Sequence, residues 1–492
     1  MSWVIGRQIS STEPDVQGYS SAPHIIHTTD WPEFRQNCSG IPRACLTGQP
    51  CHNGPAMTTE PSADTIQTKT LSGLEYFPGH SNGEYGWEGP DAVVVDRGAG
   101  SRLWDVQGNE YLDMSTAWGS AILGHAPGPV LEAARQAMSG GTNFACVNKY
   151  SSALAERIEA LSPCVERIRF VASGTEATMM CCRVAREYTG RPLILRFEGA
   201  YHGQHPIGIA SMVGDSLPPH PQVDPAGASD PAMVRDVLVA PYNDLETTRS
   251  IIEEYRDRLA GVIIEPLHRC LTPEPGFLEG VREVTRTNNV VLIFDEVVTG
   301  FRLALGGAQE YYGVHPDLVA YGKGLGGGFP IGAFGGNAEV MEVVNEHRLP
   351  GPGYTWSAST TGGNPVSAAA ALATIEMLSQ PGVYPAFHGM GARLRGIIQA
   401  GLESAGVAGH ILGDGPLAQV AFSEVPVRDH RSWKASDRKL GAALMINMLR
   451  RRVFLNPMGT KLYISTAHNE KDLEDFREKF EDALRATLSG RD

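Results

Sequence analysis

No stretch of this chain holds the roughly eighteen consecutive apolar residues that a helix needs to cross a bilayer. The start, MSWVIGRQISSTEP, lacks a basic segment followed by an apolar one, so no secretory signal is expected. Cysteine is scarce, with eight in 492 residues, and two of these, Cys181 and Cys182, are adjacent. That is no disulfide framework, and the expectation is a cytoplasmic protein with reduced thiols. Cys38, Cys45 and Cys51 lie near His52 at spacings of seven and six. Zinc sites use closer cysteine pairs, so these are read as free thiols and no metal site is expected. Positive charge is also short: 41 Lys and Arg against 55 Asp and Glu give a net charge of −14. This excludes general affinity for nucleic acid or anionic membrane. Apolar residues at 42% and charged residues at 20% leave ample material for a large buried core.

What is present falls into distinct stretches. Residues 1–70 are rich in Ser, Thr, Pro, Gly and Gln and read as an irregular extension. From Asp91, AVVVDRGAGSRLWDVQGNEYLDM predicts two or three short antiparallel strands with turns at RGAGS and QGN. The middle alternates helices with apolar runs: RIRFVAS, LILRFEG, GVIIEP, VVLIFDEV and LVAYG. Continuous apolar strands of that kind predict a parallel sheet covered on both faces. TEATMMCCRVAREY predicts a helix with Ala177, Met180, Cys181, Val184 and Ala185 on one stripe. After residue 366 helices mix with the strand-like runs QVAFSEV, RVFLNP and KLYIST, and a charged amphipathic helix closes the chain. The expected division is 71–125 as the first segment of a small lobe, 126–366 as a large α/β domain, and 367–492 as a smaller α+β domain.

The most glycine-dense stretch is YGKGLGGGFPIGAFGG, residues 321–336. It contains G-x-G-x-x-G, yet Pro330 and the following glycines forbid the helix that a dinucleotide loop requires. A Walker loop would need glycine where Asp317 stands. A better anion site is Ser173, Gly174 and Thr175, between a strand and an amphipathic helix, where N–H groups and the helix dipole favour phosphate; a plain helix cap fits that spacing equally well. Asp295 ends a buried strand at the sheet's functional edge, and a carboxylate there needs a cation or donor, with Arg302 one available partner. Lys323 likewise follows an apolar strand, where desolvation lowers its pKa and suits an imine-forming amine.

Together these pieces resemble the class III (ω-type) aminotransferases of pyridoxal-phosphate fold type I, and within them the glutamate-1-semialdehyde 2,1-aminomutase branch. The likeness runs from about Phe77 to the C-terminus and is densest over residues 292–336, where Asp295 and Lys323 stand 28 residues apart. The resemblance implies that Lys323 carries pyridoxal 5'-phosphate as an internal aldimine and then shuttles protons. It implies that Asp295 keeps the ring nitrogen protonated, that Val297 packs under the ring, and that Ser173, Gly174 and Thr175 form the phosphate cup. Tyr201 matches the stacking aromatic, with His202 beside it, and Glu265 matches the acid near the cofactor hydroxyl. Thr360, in STTGGNP, matches a threonine reaching the neighbouring subunit's cofactor phosphate, which implies a homodimer with shared sites. Trp118, in AWGSAILGH, matches a tryptophan near the substrate.

The substrate shell departs from that branch. EPLHRCLTPEPGF replaces a segment of the type EPVxGNMG, placing His268 and Arg269 there. FPGHSNGEYG lacks the arginine of the branch's PGGVNSPVR segment, and PMGTKLYIS replaces an acidic segment. Arg269 and Lys461 become candidate anchors for an anionic substrate. The expected activity is transfer of an amino group between a small-molecule donor and a ketone or aldehyde acceptor. An aminomutase or other isomerase on the same scaffold is the alternative.

Overall fold

The computed structural model describes residues 73–83, 87, 89–228, 230–349, 351–456 and 459–490. All belong to one unit, 63–492. The readings of residues 1–70 and of Cys38, Cys45, Cys51 and His52 lie outside the described residues.

Three short strands come first: β1 (Val95–Ala99), β2 (Arg102–Asp105) and β3 (Glu110–Asp113), paired antiparallel as the turn residues predict. A seven-stranded sheet follows, built from β4 (Arg167–Val171), β5 (Leu193–Phe197), β6 (Val237–Ala240), β7 (Leu259–Ile264), β8 (Val291–Glu296), β9 (Leu318–Tyr321) and β10 (Gly332–Gly336). Its order is β4-β10-β9-β8-β7-β5-β6. The strands from β9 to β6 run parallel. The expected parallel sheet is therefore mixed at one side, because β10 is antiparallel to both β9 and β4. β10 is GAFGG, the end of the glycine-dense stretch. Its glycines are needed because neighbouring backbone crowds it: a Cβ on Gly332 would lie 2.2 Å from Ser173 O, and one on Gly336 2.1 Å from Asp317 O. No α-helix follows Lys323, only a single 3-10 turn, Lys323–Gly326.

β5 to β10 are buried at every position, and alternate side chains feed two cores. Ile194, Ile263, Ile293 and Leu318 join one; Leu195, Val262, Leu292 and Val319 join the other. Each such aliphatic side chain contributes about 1.5–3 kcal/mol of burial. The longer helices in chain order are α1 (Gly128–Ser139), α2 (Lys149–Leu161), α3 (Gly174–Thr189), α4 (Leu245–Tyr255) and α5 (Phe277–Thr287). After the sheet come α6 (Pro365–Leu378), α7 (Val383–Ser404), α8 (Arg438–Arg450) and α9 (Glu470–Ser489). α3 covers the first core with its predicted stripe, since Ala177, Met180, Cys181, Val184 and Ala185 are all buried. Ser173 caps it reciprocally with Glu176, which fixes where the helix starts. A three-stranded sheet, β11 (His410–Leu412), β12 (Leu417–Ala421) and β14 (Lys461–Tyr463), belongs to the C-terminal part, while β13 (Val453–Phe454) joins β3 and makes the first sheet four-stranded. Among the described residues no helix is long and apolar enough to cross a membrane.

Candidate active site

Parallel strands deliver their C-terminal ends to one edge, and the chemistry-bearing residues gather there. Asp295 is the penultimate residue of β8 and is buried. Its Oδ2 lies 2.8 Å from Nδ1 of His202, and its Oδ1 accepts the Val297 N–H at 3.0 Å. Arg302 is thus not its partner; the alternative partner from sequence is replaced by an imidazole from the loop after β5. Glu265 follows β7. Its Oε1 accepts from Tyr201 N and its Oε2 from Arg269 N, both at 2.8 Å. One carboxylate therefore ties the Tyr201 loop to the loop holding Arg269.

Lys323 opens the 3-10 turn after β9, with a positive φ of 41° that few side-chain-bearing residues adopt. Among the described residues its amine has no hydrogen bond or ion pair. Desolvation lowers its pKa below that of an ordinary lysine, and the charge of Lys461 adds to this, against Tyr463, Asp295 and Glu265. Burial by itself pushes the Glu265 carboxyl up, but His268, Arg269 and the Tyr201 N–H outweigh it and hold it below the usual range. Burial raises the Tyr201 phenol, whose neighbours include Arg269, Thr175 and Asp295.

The start of α3 leaves the N–H groups of Gly174 and Thr175 without intrahelical acceptors. The Thr175 hydroxyl accepts from Gln204 N at 3.4 Å. A Cβ on Gly174 would stand 2.8 Å from Val297 Cγ1, so only glycine lets this turn close on Val297. The structure therefore brings Ser173, Gly174, Thr175, Tyr201, His202, Glu265, Asp295, Val297 and Lys323 to one edge. Thr360 stands apart: it is exposed, its carbonyl accepts Asn143 Nδ2 at 3.0 Å, and no bond joins it to the cluster.

The substrate-side candidates sit in unusual backbone. Trp118 lies in Thr116–Gly119, whose four φ angles are 45°, 52°, 58° and 83°. Arg269 has a φ of 61°. Lys461 Nζ donates to the Arg269 carbonyl at 2.5 Å and lies 4.9 Å from the Tyr463 ring centroid. The Arg269 guanidinium has no hydrogen bond or ion pair among the described residues. The two expected anchors are thus unequal, one engaged and one free.

Two further residues lie near the site, one that the sequence did not single out and one that it placed elsewhere. Tyr463 is buried in β14 and lies near both Lys323 and Lys461. Arg302, fully buried, donates to Val298 O at 2.9 Å and to Gly119 O. No group of three His, Cys, Asp or Glu suited to a metal occurs among the described residues.

This donor set fits pyridoxal phosphate. Free N–H groups and hydroxyls at a helix start suit a phosphate. A buried carboxylate braced by an imidazole suits a pyridinium nitrogen. His202 Nε2, buried and without a partner among the described residues, leaves a polar atom beside this carboxylate open to a further group.

Comparison with known proteins agrees. The family model described as Aminotransferase class-III matches residues 86–479. A glutamate-1-semialdehyde 2,1-aminomutase 2 of Brevibacillus brevis is 39% identical over 406 residues, covering 81% of this chain and 93% of that protein. An ω-transaminase from Sphaerobacter thermophilus superposes with a TM-score of 0.80 at 34% identity, over 87% of this chain and 99% of the other. A β-phenylalanine aminotransferase from Variovorax paradoxus gives 0.76 at 30% identity, over 87% and 95%. The chain belongs to the class III aminotransferases, enzymes of pyridoxal-phosphate fold type I that work through that cofactor.

Proposed function

We propose that the protein is an aminotransferase that moves an amino group from a small-molecule donor to a ketone or aldehyde acceptor. The observation that carries this is the Lys323 amine: desolvated, free of hydrogen bonds, and placed on the same strand-end edge as the Asp295–His202 pair. Bound pyridoxal phosphate supplies an electron-withdrawing ring that acidifies the C–H beside the donor's nitrogen. Lys323 Nζ takes that proton and returns it, for which its lowered pKa suits it. Asp295, oriented by His202, would offer its negative charge to the ring nitrogen. The Gly174 and Thr175 N–H groups and the Ser173 hydroxyl would hold the phosphate. Val297 and Tyr201 would pack on the ring, and Glu265, which fixes the Tyr201 loop, would serve its hydroxyl.

Trp118 lines the substrate side. Arg269 is the carboxylate anchor, since its guanidinium is uncommitted, and Lys461 holds the Arg269 backbone in place. Two chains complete two sites, with the exposed Thr360 of each serving the other's phosphate. Residues 71–125 and 367–492 form one lobe beside the large domain of 126–366. The β3–β13 pairing and the Arg102 bonds to Asp472 (2.7 Å) and Asp475 (2.8 Å) support that division. The five described cysteines are free, which suits a cytoplasmic protein.

A second reading, isomerisation of a single substrate, is favoured by the 39% identity to an aminomutase. A panel of donors with and without acceptors decides between them. A transaminase turns over only with both; steady turnover of one amino aldehyde with no acceptor would establish the mutase.

A further inference from the structure

Among the described residues Arg302 is a buried cation with no carboxylate partner. An isolated charge in a protein interior is costly, so its surroundings indicate what it is kept for. Nε donates to Val298 O at 2.9 Å, Nη2 donates to Gly119 O, and the guanidinium stands 5.6 Å from the Tyr463 ring centroid. Nη1 is buried without a partner, as is the Thr116 hydroxyl at the head of the same turn. The same Nη2 lies beside Gly324, next to Lys323, where a Cβ would stand 3.7 Å from it. Arg302 therefore grips the turn that carries Trp118 and lies beside the turn that carries Lys323.

The Trp118 turn needs such a clamp. Thr116, Ala117, Trp118 and Gly119 are consecutive left-handed residues, three of them with side chains. Each such residue costs about 1–3 kcal/mol and persists only where surroundings over-determine it. The turn's own chain supplies some restraint: Asp113 Oδ1 accepts from Ser115 N at 2.8 Å and Thr116 N at 3.0 Å, and Ser115 Oγ accepts from Trp118 N at 3.5 Å. The Asp113 bonds hold the entry. At the exit Ser120 Oγ donates to Ala117 O at 2.8 Å, and Arg302 is the side chain from a distant segment that grips the backbone, at Gly119 O, where Gly119 allows it. A Cβ there would meet Tyr463 Cε1 at 2.7 Å and Arg302 Nη2 at 3.0 Å.

We propose that Arg302 is a positioning residue for substrate: by clamping Gly119 O it holds the left-handed turn Thr116–Gly119 and so fixes the Trp118 indole over the donor's place in the site. The inference rests on the placement of Trp118 beside the substrate under the proposed function. Arg302 needs no carboxylate because backbone carbonyls and the Tyr463 ring are its partners. An apolar residue would fill the space without holding the turn.

The test is a double-mutant cycle on the holoenzyme with R302Q, W118F and the pair. The readouts are apparent donor half-saturation, pyridoxal-phosphate affinity, and hydrogen exchange of the segment 114–124. If Arg302 acts through Trp118, R302Q raises donor half-saturation at least about tenfold, as does W118F, and the double variant is no worse than either alone. Cofactor affinity changes less than about twofold, and exchange at 114–124 speeds in R302Q. R302K, which keeps charge and one donor, recovers part of the loss, and it replaces R302Q in the cycle if R302Q does not fold. Additive losses, unchanged exchange, or a fall in cofactor affinity matching the fall in donor affinity would overturn the proposal. If W118F alone leaves half-saturation unchanged, the placement of Trp118 fails instead; faster exchange in R302Q then still establishes the clamp, and unchanged exchange removes it.

Discussion

The proposed cofactor wall and the proposed substrate face of this site are held by different means. On the wall, Asp295, Glu265 and Ser173 stand at or just beyond the ends of strands; Asp295 and Glu265 bond to groups in the loop after β5, and Ser173 to the Glu176 N–H of the helix it caps. On the face, Trp118 and Arg269 occupy left-handed backbone, held in place by Arg302 and Lys461, which lie 183 positions from Gly119 and 192 from Arg269. The wall has a geometry that a parallel sheet produces by itself. The face exists only when distant segments have docked. A scaffold built this way keeps one cofactor chemistry while its substrate shell changes, because the two are specified by separate parts of the chain.

Substitutions on the two sides should fail differently. The largest effect belongs to the wall. D295N keeps the shape and a bond to His202 but removes the charge, and should lower turnover of every donor by about 100-fold or more. Rapid-mixing kinetics with carboxylate and neutral donors measures it, and loss confined to one donor class would place Asp295 on the substrate face. R269Q is the counterpart. A charge-assisted hydrogen bond contributes about 1.5–3 kcal/mol, so half-saturation for carboxylate donors should rise about 10- to 100-fold. Neutral amines should change little, and an equal loss for both would show that Arg269 acts on the wall through Glu265.

The smallest effect is on stability. Burial pushes His205 and His430 down to about 4. Both are lowered, so their contribution is full above an unfolded value near 6.5 and is lost as pH falls towards 4. The melting temperature should therefore drop across that window, and H430N should flatten part of the slope. An unchanged slope in H430N and in the matching His205 variant would remove both residues from the account.

The same division decides what could be read in advance. VVLIFDEV carries its acids late because a doubly covered strand can hold polar chemistry only where it leaves the sheet, so the strand-end placement of Asp295 was legible, whereas Glu265 after GVII came only from the family resemblance. Lys323 was legible for the same reason as Asp295. β6 was missed because VLVA is only four residues between Asp236 and Pro241. β10 was missed because three of its five residues are glycine, chosen by the pressure of neighbouring backbone that no local pattern shows. Arg302 reads in sequence as a salt-bridge partner for Asp295; its real targets are carbonyls, and a carbonyl leaves no trace in a sequence. The unequal roles of Arg269 and Lys461 likewise depend on a backbone bond between segments far apart in the chain.

The central claim is that Lys323 is the residue that bonds the cofactor. Protein reconstituted with pyridoxal phosphate, reduced with borohydride, digested and mapped by mass spectrometry tests it directly. The account predicts a yellow protein and one modified peptide, carrying the reduced cofactor on Lys323. A protein that stays colourless, or a label on Lys461 or on scattered surface lysines, would contradict it.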